Sequence, residues 1–167
     1  MTISMYQASV PVFARMLKNL SVVLDKGQKH AEARKVAAGV LPASRLIADM
    51  FPLSRQVQIA TDHAKGAAAR LAGVDVPKYE DNEQTIEELQ ARIAKTLAFL
   101  ETFRAAQIDG SEEREIVLTM SIGERKFKGT DYLLGFALPN FYFHMVTAYA
   151  ILRQNGVDVG KRDFLGV

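Results

Sequence analysis

Most of the chemistry this chain can offer lies in two histidines and one charge-free run. His144 sits within LPNFYFHMVTAYAILRQNG, residues 138–156, and between Asp131 and Arg153 no side chain carries a formal charge. Asn140 precedes it by four residues, so on a helix both side chains stand on one face. Thr147 and Ile151 continue that face, while Phe141, Met145, Ala148 and Leu152 form the adjacent apolar one. A polar pair on so apolar a helix admits two accounts. His144 is a core residue satisfied by one hydrogen bond, to Tyr142, Tyr149 or a backbone carbonyl. Alternatively it belongs to a small-ligand pocket, with Tyr142 and Thr147 as ligand contacts. His63 flanks the small-residue stripe of another helix with Asp62 beside it, and His30 lies in a basic, exposed stretch.

Four helices must position these groups. Val10, Phe13, Leu17, Leu20 and Leu24 recur at helical steps, which predicts a first helix over 9–26, with Ser9 as cap, Pro11 in its first turn and Gly27 either ending or loosening it. Residues 28–40 either extend it or form a separate turn. Residues 39–54, bracketed by Pro42 and Pro52, read as a loop with a short helical turn. Its Leu46, Ile47, Met50 and Phe51 lid the bundle. A second helix is predicted over 54–72, stopped by Gly73. Its narrow face of Val57, Ala60, Ala64, Ala67, Ala68 and Leu71 lets a neighbouring backbone come close. Thr85 and Glu88 form a capping box that starts a third helix, carried on by Ile86, Leu89, Ile93, Leu97 and Leu100 and finished before Gly110. The period then shortens to two across residues 116–122, a strand, with a turn at Gly123-Glu124 and a return over 125–128. The fourth helix is placed from Pro139 to Asn155-Gly156.

Composition sets outer limits. With 167 residues and 49% hydrophobic content the chain reads as one domain, 1–167, able to bury a core without staples. There is no cysteine, which excludes disulfides, thiolate metal sites and cysteine nucleophiles and fits a cytoplasmic protein. A net charge of +2 argues against a nucleic-acid partner. Residues 132–152 are long enough to span a bilayer, yet their glycine, proline, asparagine, histidine and tyrosines favour a buried helix of a bundle, not a membrane segment. The N-terminus carries no signal-peptide pattern. Neither a nucleophile-elbow motif nor a phosphate-binding glycine loop occurs.

The order helix, helix, helix, hairpin, apolar helix resembles the DinB-like superfamily of four-helix bundles. So does the end of the last helix, Asn140-Phe141-Tyr142-Phe143-His144 followed by Leu152-Arg153-Gln154-Asn155-Gly156. The tail Gly160 to Gly166 and the stretch Leu46 to Leu53 are similar to one uncharacterised branch of it. The resemblance implies a mainly α fold: a DinB-like four-helix bundle with a short β-hairpin between helices three and four. It also implies a homodimer, and a divalent metal (zinc, nickel or iron) held by three histidines, one from the second helix and two from the last. Some members use the metal for thiol-dependent transfer. Carried onto this chain, the ligands are His63, Asn140 and His144, with asparagine where the superfamily has histidine. An amide oxygen is a poor substitute for an imidazole at such an ion, so Asp62 or Asp49 would have to help, or the cluster holds only water or a small polar ligand. The alternative is a non-catalytic dimeric module that kept the bundle and lost the metal site.

Overall fold

The computed structural model describes residues 3–120 and 123–167. Four long helical segments make the bundle: α1 (Val10–Ala33), α3 (Leu53–Ala72), α4 (Ile86–Leu100) and α7 (Leu138–Gln154). Short turns α2 (Val40–Ala43), α5 (Ala105–Ile108), α6 (Gly129–Tyr132) and α8 (Lys161–Leu165) join or finish them. Between α5 and α6 an antiparallel hairpin pairs β1 (Glu115–Met120) with β2 (Gly123–Lys128). Among the described residues no helix is long and apolar enough to cross a membrane.

The core follows from the apolar spacings. Phe13, Leu17, Leu20 and Leu24 of α1 meet Leu89 and Ile93 of α4 and Phe141, Met145 and Leu152 of α7, all essentially inaccessible to water. Phe13 stands edge-on to Phe141, with ring centroids 4.9 Å apart. Helix α3 is central and packs most extensively on α7. Ala60, Ala64, Ala67 and Ala68 are wholly buried, and their small size permits that close approach.

The strongest local signals are realised in full. The amide of Glu88 donates to Thr85 Oγ1 at 3.2 Å while the amide of Thr85 donates to Glu88 Oε2 at 3.1 Å, so the capping box is complete. Gly73 closes α3 at φ 71°, a left-handed conformation that suits glycine.

Several boundaries differ. Helix α1 runs on through Gly27 to Ala33, because a glycine inside a helix costs only about 1 kcal/mol and packing outweighs it. A Cβ at Gly27 would sit 2.9 Å from Leu152 Cδ2, so this glycine lets α1 and α7 touch. Ser9 does not cap α1; its hydroxyl donates to the Met5 carbonyl at 2.6 Å. Met120 pairs with Gly123, so Gly123 and Glu124, expected as the turn, belong to β2; the Ile122 end of the expected strand lies outside the described residues. The stretch 44–52 covers the bundle only in part, with Leu46 half-buried but Ile47 and Phe51 exposed.

The largest difference is the start of the last helix. Helical backbone begins at Gly129 and passes through a π-turn, Leu133–Ala137, into α7, so Pro139 lies well inside it. A proline ring normally clashes with the carbonyl four residues earlier. Widening the preceding turn to i→i+5 relieves that clash, and the Asn140 side chain donates to the Phe136 carbonyl at 2.7 Å. The junction before this helix is close-packed. A Cβ on Gly129 would run into the backbone carbonyl of Ser111, and Thr130 N donates to the Glu112 carbonyl at 3.0 Å.

Candidate functional site

The α3–α7 interface brings the two imidazoles together. His63 and His144 face each other nearly parallel, with ring centroids 6.0 Å apart and planes inclined by 16°. Phe136, from the π-turn, closes one side of His63 edge-on at 5.8 Å, and Phe143 stands edge-on to His144 at 5.2 Å. An open cleft of about 160 Å³ lies over His144, lined by Asp49, Met50, Phe51, Gln56, Phe143 and His144.

His144 has a partner that the spacing of its own helix does not reveal. Its Nδ1 lies 2.7 Å from Gln56 Oε1 of α3. Gln56 is 1% exposed, and its Nε2 donates to the Phe51 carbonyl at 3.0 Å. Tyr142 and Tyr149, expected as alternative partners, do other work. Tyr142 packs on Phe141, and the Tyr149 hydroxyl donates to the Val159 carbonyl at 3.4 Å. Gln56 could have been found in the sequence. Positions 56, 60 and 63 share one helix face, which puts a second polar group two turns before His63 on an otherwise small, apolar stripe.

The electrostatics keep both rings uncharged. His63 is lowered from 6.5 to about 4, by burial first, then by His144 and Arg70, against an opposing pull from Asp62. His144 is also lowered to about 4, by burial and then by Arg55. At neutral pH each ring therefore offers a lone pair.

The remaining candidates fall outside this arrangement. Asn140 shares the His144 face, but its amide nitrogen serves the Phe136 carbonyl, and the carboxamide touching the imidazole is that of Gln56. Tyr142 and Thr147 are not among the residues lining the cleft. Tyr142 lies two residues before His144, on nearly the opposite side of the helix, while the Thr147 hydroxyl donates to the Phe143 carbonyl at 2.7 Å. His30 is half-buried beside Gly156 at the far end of α1, not exposed. Asp62 is taken by cations, with Lys65 Nζ at 2.9 Å and Arg92 Nη2 at 2.8 Å.

That ion cluster anchors the connector between α3 and α4. Arg92 is 3% exposed. It donates through Nε to Thr61 Oγ1 at 2.7 Å and through Nη1 to the Glu80 carbonyl and to Glu83. Its Nη2 reaches Asp62 and Asp81. Burial works against its charge, but the surrounding carboxylates outweigh that and raise its pKa above the ordinary value.

As a metal site the donor set is short. Two imidazoles sharing one ion through nitrogens about 2.0–2.1 Å from it would have ring centres about 5–6 Å apart, which the observed spacing suits. Among the described residues, however, no group of three His, Cys, Asp or Glu side chains could hold an ion, whereas catalytic zinc sites use three protein ligands.

Residues 5–165 match the family model described as a domain of unknown function, DUF1993. Among curated proteins no sequence matches the chain. It is similar to a crystal structure of a DinB family member from Shewanella denitrificans, at 45% identity over 97% of this chain and 92% of that one, with a TM-score of 0.88. The bundle, the hairpin before its last helix and these matches place the chain in the DUF1993 family of DinB-like proteins.

Proposed function

We propose that this protein binds a small polar molecule in the cleft over His144, using the neutral imidazole of His144 with the His63 ring packed behind it, without a resident metal. The observation that supports this most is the convergence of two uncharged rings, 6.0 Å apart, one of which, His144, lines an open cleft, with only one of their four nitrogens in a hydrogen bond among the described residues. A low-molecular-weight thiol is one ligand of suitable size, in line with the thiol-dependent transfer that the DinB-like resemblance implies. A cytoplasmic setting fits the absence of cysteine. The test is thermal melting against a panel of small thiols, amines and alcohols. A ligand that raises the melting temperature of the wild type but not of His144→Ala supports the proposal; no shift across the panel counts against it. Elemental analysis of protein made without a histidine tag tests the metal version. Zinc, nickel or iron at one per chain, lost in both His63→Ala and His144→Ala, would reverse the preference for a metal-free site.

A second reading is a non-catalytic homodimer. It draws on the apolar rim of the same cleft, where Phe51 and Phe143 are 55% and 56% exposed and Val146, one turn along α7, is 49% exposed. Light scattering at micromolar concentration separates the two, since a monomeric mass removes the dimer.

A further inference from the structure

Gln56 places an amide in the packed face of α3, and that amide is held from two sides. Its nitrogen donates to the Phe51 carbonyl at 3.0 Å, and its oxygen faces His144 Nδ1 at 2.7 Å. The orientation of the amide is not free. Turned over, its oxygen would face the Phe51 carbonyl oxygen, two acceptors in contact with no proton between them. With the nitrogen fixed on Phe51, the oxygen facing His144 can only accept, so Nδ1 must carry the proton. In a neutral ring the proton is then absent from Nε2. Nε2 has no hydrogen-bond partner among the described residues.

We infer that Gln56 is a positioning residue that locks His144 in the Nδ1–H tautomer, so that Nε2 acts only as an acceptor and the site takes ligands that present an N–H, O–H or S–H group. This rests on the small-ligand proposal for the choice of ligand, but the tautomer stands independently of it.

The tautomer is read directly by long-range ¹H–¹⁵N correlation of the imidazoles in labelled protein at pH 7. Wild type should show Nδ1 with the shift of a protonated nitrogen and Nε2 with that of a bare one. Gln56→Leu should move His144 toward the Nε2–H form or a mixture. Gln56→Glu retains an acceptor for Nδ1 but loses the donor to Phe51 and adds a charge that favours a second proton on the ring, so Nδ1 should stay protonated, whether or not Nε2 also gains a proton, which keeps the test readable even if Gln56→Leu folds poorly. A merely structural role would change melting without this pattern. Ligand class is read with two isomeric probes, ethanethiol and dimethyl sulfide, which share every atom but differ in having a donor. Ethanethiol should shift Nε2 and dimethyl sulfide should not. A protonated Nε2 in the wild type, an unchanged tautomer in folded Gln56→Leu, or equal shifts from both probes would overturn the inference. The expected tautomer with a response to neither probe upholds the role of Gln56 and counts against the small-ligand proposal instead.

Discussion

Acidification should cost this fold stability through the imidazole pair. Unfolded, each histidine titrates near 6.5; folded, each is lowered to about 4. Between those values the unfolded chain binds more protons than the folded one, so unfolding becomes easier as pH falls. The contribution is intact above pH 6.5 and lost by about pH 4. A tenfold change in proton affinity corresponds to about 1.4 kcal/mol, which sets a ceiling of about 3 kcal/mol per ring. Both rings are only half-buried, and solvent screening reduces this to about 1–2 kcal/mol each. The rings also interact. The charge of one raises the cost of the second proton, so the pair titrates as a unit. Urea unfolding of the wild type, His63→Gln and His144→Gln at pH 7, 6, 5 and 4.5 isolates the histidine contribution, because carboxylates contribute equally to all three. The stability of the wild type relative to either variant should fall by about 1–2 kcal/mol from pH 7 to 4.5. Parallel pH profiles for wild type and both variants would refute the claim that burial holds these rings neutral.

Two other expectations concern the scaffold. Arg92→Met should destabilise by about 3–5 kcal/mol in urea unfolding, because it leaves Asp62, Asp81 and Glu83 without the cation that joins them. Adding Asp62→Asn should recover part of the loss, whereas additive losses would show that the cluster is not one network. Gly129→Ala should cost about 1–3 kcal/mol, since its Cβ meets the Ser111 backbone, which cannot rotate away. Gly135→Ala meets open space and should instead stabilise by up to about 1 kcal/mol. Calorimetric melting of the pair checks the opposite signs.

What the sequence reveals about this protein follows the range of the interactions involved. The Thr85–Glu88 box and the Gly73 stop are complete within four residues, so local spacing alone exposes them. Pro139 misleads because the proline rule describes an α-helix, and a single π-turn changes the rule. Gly27 misleads for the opposite reason. Its local cost is real, but Leu152, far along the chain, decides the outcome. Of the site, His144 is legible on a helix face that Asn140 shares without joining the site, whereas the meeting of His63 with His144 depends on how α3 and α7 pack. No periodicity within either helix encodes that meeting, and only the family resemblance implies it. Gln56 is easily passed over because a polar residue on a small-residue stripe looks like a solvated position until a neighbouring helix covers it.

The contact that sets His144 is itself built mostly from local parts. Pro52 precedes α3 with φ −69° and ψ 166°, and a proline holds the residue before it in extended backbone. The Phe51 carbonyl is thereby presented at the start of the helix. The Pro52 carbonyl accepts from the Gln56 backbone N–H at 3.0 Å, fixing the first turn, and the Gln56 side chain reaches back to Phe51. Phe51, Pro52 and Gln56 thus form a closed unit within six residues that aims an amide oxygen at α7. There His144 meets an acceptor whose direction the Phe51 contact sets. The chemistry of the ring then depends on a turn in the segment that borders the cleft, and a ligand that displaced Phe51 would alter the imidazole through Gln56 without touching it.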